Sequence, residues 1–223
     1  GAQMNGPIRI LLVDDEPLIR SGLSAILSLE EDLAVVGEAG DGAEAWSEAH
    51  RLKPDLIMMD VRMPRMDGIQ ATRALLANAQ DHIIPRILIL TTFESDDYVF
   101  EALKAGADGF LLKRAQPDEL VQAVRAVARG ESIIYPAKLR ELVTKHGSRG
   151  RDLIGEAGLS SREAEVLRQL AQGHNNQEIA GVMHLGVETV KTHISSVLAK
   201  LNVRDRTQAV ILAYESGFVQ PGS

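Results

Sequence analysis

The sequence predicts an α/β domain built on a five-stranded, parallel, doubly wound sheet, (βα)5, followed by a small all-α domain of four helices. Three observations predict it. Between residues 8 and 130, short apolar runs alternate with amphipathic stretches five times, the pattern of a parallel sheet covered by helices on both faces. After Gly130 that period breaks, and residues 147–158 (GSRGRDLIGEAG) are glycine-rich and charged. From Leu159 onward there is no strand pattern, only four amphipathic stretches. The expected division is a domain over 7–130, a linker with a possible helix over 131–157, and a helical domain over 158–219.

The first strand is residues 8–13 (IRILLV), a continuous apolar run of the kind buried on both faces. The others are expected at 33–38, 55–59, 86–91 and 109–112. Helices are expected at 17–29, 43–52, 68–77, 96–105 and 117–129. Pro17 stands at a first helical position, and Pro117 is followed by Asp118 and Glu119; both are ordinary helix starts. Residues 136–146 have room for one more helix. The last four helices fall at 161–172, 176–183, 187–201 and 205–216, and His184, Leu185 and Gly186 make a tight turn between the second and third of them. Two short helices joined in this way, the second with a polar outer face, are the helix-turn-helix outline.

Composition sets bounds. With 223 residues, 45% apolar and 25% charged, the chain is of ordinary globular type. It has no cysteine, which removes disulfides and thiolate metal sites. No apolar run approaches membrane-spanning length, so no membrane contact is expected and the cytoplasm is the expected location. Residues 1–130 hold 13 Lys and Arg against 21 Asp and Glu, whereas residues 158–223 hold 6 against 6. A neutral helical domain lacks the basic face typical of a nucleic-acid binder, and a protein-binding module is therefore an alternative for it.

Asp14 and Asp15 follow the first strand and Asp60 follows the third. In an open α/β sheet, ligands collect outside the carboxyl ends of the strands, where these groups project. Three crowded carboxylates repel one another unless a cation lies among them. Magnesium, a hard ion that takes oxygen ligands, suits the set. Asp60 is then a candidate nucleophile toward phosphorus. Lys113 follows the apolar run 110–112 and should stand beside the cluster. The glycines of 37–42 (GEAGDG) lack a dinucleotide fingerprint and read as turn chemistry. His50, His82, His146, His174 and His184 show no ligand spacing.

The motifs Leu12-Val13-Asp14-Asp15-Glu16-Pro17, Met59-Asp60-Val61-Arg62-Met63-Pro64-Arg65-Met66-Asp67-Gly68, Leu90-Thr91-Thr92 and Gly106-Ala107-Asp108-Gly109-Phe110-Leu111-Leu112-Lys113 resemble a two-component receiver domain. Leu159-Ser160-Ser161-Arg162-Glu163, Glu188-Thr189-Val190-Lys191-Thr192-His193 and Leu198-Ala199-Lys200-Leu201 resemble a LuxR-type helix-turn-helix. Together they resemble a response regulator of the NarL/FixJ class. The resemblance implies that Asp60 accepts a phosphoryl group from a sensor histidine kinase, with Mg²⁺ held by Asp14, Asp15, Asp60 and the Arg62 backbone carbonyl. It implies that Thr91 hydrogen-bonds the phosphoryl group, that Lys113 pairs with its charge, and that Phe110 is a switch aromatic that turns inward. The implied output is a homodimer, release of the DNA-binding domain, or both.

On the recognition helix, Glu188, Thr189, Lys191, Thr192, Ser195 and Ser196 are expected outward, with Val187, Val190, Ile194, Val197, Leu198 and Leu201 at core spacing. Lys191 is the first candidate for contact with double-stranded DNA, then Thr189, Thr192, His193 and Ser195. Ser195 stands where many relatives of this class have a second basic residue, which predicts modest affinity per half-site. Two alternatives stand beside this reading. An aspartyl-phosphate hydrolase also uses a strand-end carboxylate, but those of the haloacid dehalogenase type carry a second Asp two positions on, and here that position is Arg62. A regulator or scaffold working without phosphorylation would leave the pocket unused. Beyond self-phosphorylation from small donors and self-dephosphorylation, no enzyme activity is expected.

Overall fold

The structure, a computed structural model, describes residues 6–61, 63, 67–77, 84–92, 96–131, 136–147 and 154–220. The chain divides into two compact units, Gly1–Ile133 and Ile134–Ser223. In the first, β1 (Ile8–Val13), β2 (Leu33–Ala39), β3 (Leu56–Asp60), β4 (Arg86–Thr91) and β5 (Gly109–Leu112) form one parallel sheet in the order β2-β1-β3-β4-β5. The helices between and after them are α1 (Pro17–Ser28), α2 (Gly42–Leu52), α3 (Gly68–Ala77), α4 (Asp96–Lys104) and α5 (Pro117–Ala128).

Side chains alternate across a strand, and the three central strands are apolar at every position in their middle, so the sheet needs cover on both faces. Leu11, Val13, Ile57, Met59, Ile87 and Ile89 point to a face closed by residues of α2, α3 and α4. Ile10, Leu12, Leu56, Met58, Leu88 and Leu90 point to the other, closed by α1 and α5. Each of these side chains is at most 3% exposed, and burying one stabilises the fold by about 1.5–3 kcal/mol.

At the amino-terminal edge of the sheet two aspartates satisfy backbone groups that would otherwise be orphaned. Asp55 Oδ2 accepts from the Arg9 N–H at 2.8 Å, and Asp108 Oδ2 accepts from the Ile87 N–H at 2.8 Å. Glycines 37–42 divide between two roles. Gly37 lies within β2 beside a register shift, where Ile10 pairs with Val35 but Leu11 with Gly37. That leaves Val36 as the extra residue of a bulge. Gly42 begins α2, whose N-cap Asp41 accepts from the Glu44 N–H at 2.9 Å.

The second unit contains α6 (Pro136–His146), α7 (Ser161–Ala171), α8 (Asn176–Met183), α9 (Val187–Leu201) and α10 (Arg206–Glu215). Here α10 packs against α6, α7 and α9, with Leu142, Val166, Leu167, Ile179, Val190, Val197, Val210 and Ile211 buried. The helix expected within the linker is present as α6, and it packs in this unit. Capping boxes open α7 and α8: Ser160 with Glu163, and Asn175 with Glu178. His184, at φ 55°, ends α8 in the left-handed conformation and starts the turn into α9.

Gly68, the first residue of α3, donates its N–H to the Val61 carbonyl at 2.9 Å. A Cβ there would fall 2.1 Å from the main-chain oxygen of Asp60. Only glycine lets α3 begin this close to the end of β3. Gly68→Ala is therefore expected to cost about 1–3 kcal/mol through forced backbone displacement, measured as a lower urea midpoint, whereas Gly22→Ala, whose Cβ meets nothing within 4 Å, should leave the midpoint unchanged or raise it.

Candidate functional site

Because β1 and β3 are neighbours in the sheet although β2 lies between them in sequence, their carboxyl ends meet at the point where the strand order reverses. This is the switch point at which open α/β sheets bind ligands. Asp14 leaves β1 there and Asp60 ends β3, 2% and 6% exposed, while Asp15 faces solvent. Oxygens of all three carboxylates lie within 4.8 Å of one another. Lys113, just past β5, places Nζ 2.7 Å from Asp14 Oδ2 and 3.1 Å from Asp60 Oδ2. Burial opposes the Lys113 ammonium, but the hydrogen bond to Asp14 and the charges of Asp60 and Asp14 outweigh it and hold its pKa above the usual lysine value. Lys113 itself is held in place because its backbone N–H donates to the Thr91 carbonyl at 2.7 Å.

Thr91 is the last residue of β4 and is buried, one position beyond the residue that pairs with Asp60. Phe110 is half-buried and packs against the cluster formed by α2, α3, α4 and the sheet. Arg62 lies outside the described residues. Arg20, on α1, was not singled out from the sequence; its guanidinium donates to the Asp14 main-chain carbonyl and pairs with Glu38 at 3.3 Å.

The donor set fits a hard divalent ion. It consists of carboxylate oxygens alone, and an octahedral site with bonds of about 2.0–2.1 Å needs ligand oxygens no more than about 4.2 Å apart. The three carboxylates, with oxygens within 4.8 Å of one another, are gathered on that scale.

In the second unit, α8, the turn at His184 and α9 form a helix-turn-helix. Glu188, Thr189, Lys191, Thr192 and Ser195 are exposed on α9 and His193 is half-buried. Lys191 pairs with Glu188 at 3.2 Å. Ser196 departs from expectation: it is half-buried and donates to Glu163 Oε2 rather than facing outward. Glu163 also accepts from Lys200 Nζ at 2.6 Å and from the Ser160 N–H at 2.7 Å. One buried carboxylate thus caps α7 and ties it to α9. The Ser-x-x-Glu spacing of Ser160 and Glu163 was the available signal for the cap, though not for the tie.

Residues 10–125 match the family model of the response regulator receiver domain. The chain is a response regulator. Residues 157–213 match the bacterial regulatory proteins of the luxR family, so a receiver is joined to a LuxR-type DNA-binding domain. The response regulator protein VraR of Staphylococcus aureus is 43% identical over 96% of this chain and 99% of its own length. The transcriptional regulatory protein YxjL of Bacillus subtilis is 41% identical over 96% and 98%. Among solved structures, ChrA of a heme-sensing two-component system is 36% identical, covers 96% of this chain and 100% of its own, and has a TM-score of 0.51. The receiver domain of NarL from Mycobacterium tuberculosis is 38% identical over 56% and 99%, with a TM-score of 0.54. This response regulator therefore has the domain composition of a transcription regulator. None of its described helices is long and apolar enough to cross a membrane.

The Glu163 node yields a pH prediction for this response regulator. Hydrogen bonds from Lys200, Ser196 and the Ser160 backbone lower its pKa from 4.5 to about 2. A carboxyl depressed on folding stabilises fully above its unfolded value and loses that contribution as the pH falls through the folded value. The window here is therefore pH 4.5 down to about 2. A carbon NMR titration should place the Glu163 carboxyl at the low end of that window, and Lys200→Met should move it upward.

Proposed function

We propose that this chain is a phosphorylation-switched transcription regulator in which Asp60 accepts a phosphoryl group from a sensor histidine kinase, with Mg²⁺ at the Asp14, Asp15 and Asp60 carboxylates. The observation that carries this reading is the three-carboxylate cluster bridged by the Lys113 ammonium, in a chain that also has a LuxR-type domain. On this reading residues 7–130 are the acceptor domain and residues 158–219 the DNA-binding domain, joined through 131–157.

When bound, the ion neutralises charge on the equatorial phosphoryl oxygens. The chain's own residues do the rest. An Asp60 carboxylate oxygen forms the new bond to phosphorus as the bond to the kinase histidine nitrogen breaks, and that nitrogen keeps the electron pair. Lys113 needs no large movement, since its ammonium is already 3.1 Å from Asp60; it gives up one carboxylate contact for a phosphoryl oxygen. Thr91 donates its hydroxyl to a second oxygen, and Phe110 follows inward from its half-buried position, changing the face formed by β4, α4, β5 and α5. That face then forms a homodimer, releases the DNA-binding domain, or does both. A switch from 1:99 to 99:1 requires about 5.5 kcal/mol of differential stability. The same pocket supports self-phosphorylation from small donors and self-dephosphorylation. The hydrolase alternative is weaker because the position two after Asp60 is Arg62.

Acetyl phosphate should label the wild-type protein stoichiometrically in Mg²⁺, and labelling should vanish with a chelator or in Asp60→Asn. Beryllofluoride with Mg²⁺ should shift the wild type, and not Asp60→Asn, from monomer to dimer by light scattering. Steady turnover of a phosphate ester would instead favour the hydrolase, and no labelling would favour a regulator that does not use its pocket.

For DNA, Lys191, Thr189, Thr192, His193 and Ser195 are the proposed contacts from α9. Substituting Ser195→Arg is expected to steepen the dependence of log affinity on log salt by about 0.9 per half-site, read by fluorescence anisotropy on a bound operator. An unchanged slope would place residue 195 away from the phosphates.

A further inference from the structure

The geometry points to Arg20 as the residue that positions the Asp14–Asp15 peptide for metal binding. This deepens the magnesium reading and rests on it. Every polar atom of Asp14 has a partner. Its N–H donates to the Ala39 carbonyl at 3.1 Å, Oδ1 accepts from the Glu16 N–H at 2.9 Å, and Oδ2 pairs with Lys113 at 2.7 Å. Its main-chain carbonyl accepts from Arg20 Nη1. Arg20 reaches that carbonyl from α1 and is steadied by Glu38 at the end of β2, 3.3 Å from Nε. Its side chain is 19% exposed.

The consequence falls on Asp15. The Asp14 carbonyl belongs to the planar peptide whose other end is the Asp15 nitrogen, so the Arg20 bond fixes the plane from which the Asp15 side chain departs. Asp15 is the exposed member of the cluster. Among the described residues no hydrogen bond or ion pair of its own holds its carboxylate, and the backbone alone aims it. Partners that orient metal ligands typically govern affinity by about 10- to 100-fold.

A plain charge effect has the opposite sign. A guanidinium near a cation site repels the ion, so its removal tightens binding if charge is all that matters. If Arg20 positions the loop, its removal weakens binding. The Glu38 carboxylate beside it cancels much of the charge, which favours the second outcome.

The test is calorimetric titration of the full chain with MgCl₂, with amide NMR on the metal-free protein. Arg20→Ala should weaken Mg²⁺ about tenfold, shift the Asp15 amide resonance, and leave the metal-free protein folded. Arg20→Gln, which keeps a polar side chain but not the reach, should behave alike and serves if the alanine variant does not fold. Glu38→Gln keeps the carbonyl bond and should bind Mg²⁺ within a few-fold of wild type. Unchanged or tighter binding in both Arg20 variants overturns the inference, as does a loss in Glu38→Gln equal to that in Arg20→Ala. Wild-type protein that takes up no Mg²⁺ overturns the metal reading itself, so the two failures are distinguishable.

Discussion

Two buried carboxylates at one sheet edge require a cation within hydrogen-bond reach, because an unpaired buried charge costs several kcal/mol. Much of the first unit is arranged around meeting that requirement at Asp14 and Asp60. The strand order makes β1 and β3 neighbours, so the two aspartates share a site. β5 pairs with β4, and its last residues deliver Lys113 across the end of the sheet to both of them. The helix after β3 begins at a glycine because nothing larger fits against the Asp60 carbonyl. A single ammonium is divided between two carboxylates, and under the proposed scheme either contact is exchanged for a phosphoryl oxygen without leaving a charge stranded.

The opposite edge of the sheet uses the same residue type for a different end. Asp55 and Asp108 also sit at strand ends, and Asp108 is buried, yet each accepts a backbone N–H from the neighbouring strand, and Asp108 also pairs with Arg86. At these two positions a carboxylate serves the sheet's own backbone. Asp14 and Asp60 differ from these two aspartates in lying at the carboxyl edge of the sheet and in sharing one ammonium.

That distinction marks how far the sequence could be read. Apolar runs of the right length placed all five strands to within a residue or so, because a parallel strand buried on both faces has no other composition. The acidic residues were legible because carboxylates directly after such runs have one place to go. Arg20 was not, because it acts through a main-chain oxygen, and nothing in the sequence marks which carbonyl a guanidinium will find. Ser196 reads as outward on α9 because a serine beside a core stripe looks solvent-facing. Its partner Glu163 belongs to another helix, and helical periodicity gives the direction of a side chain but not what waits there. Gly37 reads as turn chemistry for a similar reason, since a bulge depends on the register of the neighbouring strand.

The Glu163 node also constrains how the helical domain over residues 158–223, with 6 Lys and Arg against 6 Asp and Glu, can meet a polyanion. Lys200 is committed to a buried carboxylate. Arg168 is shared between Glu165 and the face of Phe218. Lys191 is paired as well, but with a side chain 89% exposed, and a pair of that kind is worth only a few tenths of a kcal/mol. Exchanging Glu188 for a phosphate therefore costs Lys191 almost nothing, whereas freeing Lys200 would undo the joint between α7 and α9. Cheaply available positive charge on the recognition helix thus reduces to Lys191, and one such contact gives a weak half-site. Under the proposed scheme that weakness is useful. Two weak half-sites joined in a dimer act at high effective concentration, and affinity rises by about 10²–10⁴ without any new contact. Control of dimerisation by Asp60 would then amount to control of occupancy, which a single strongly basic module would not allow.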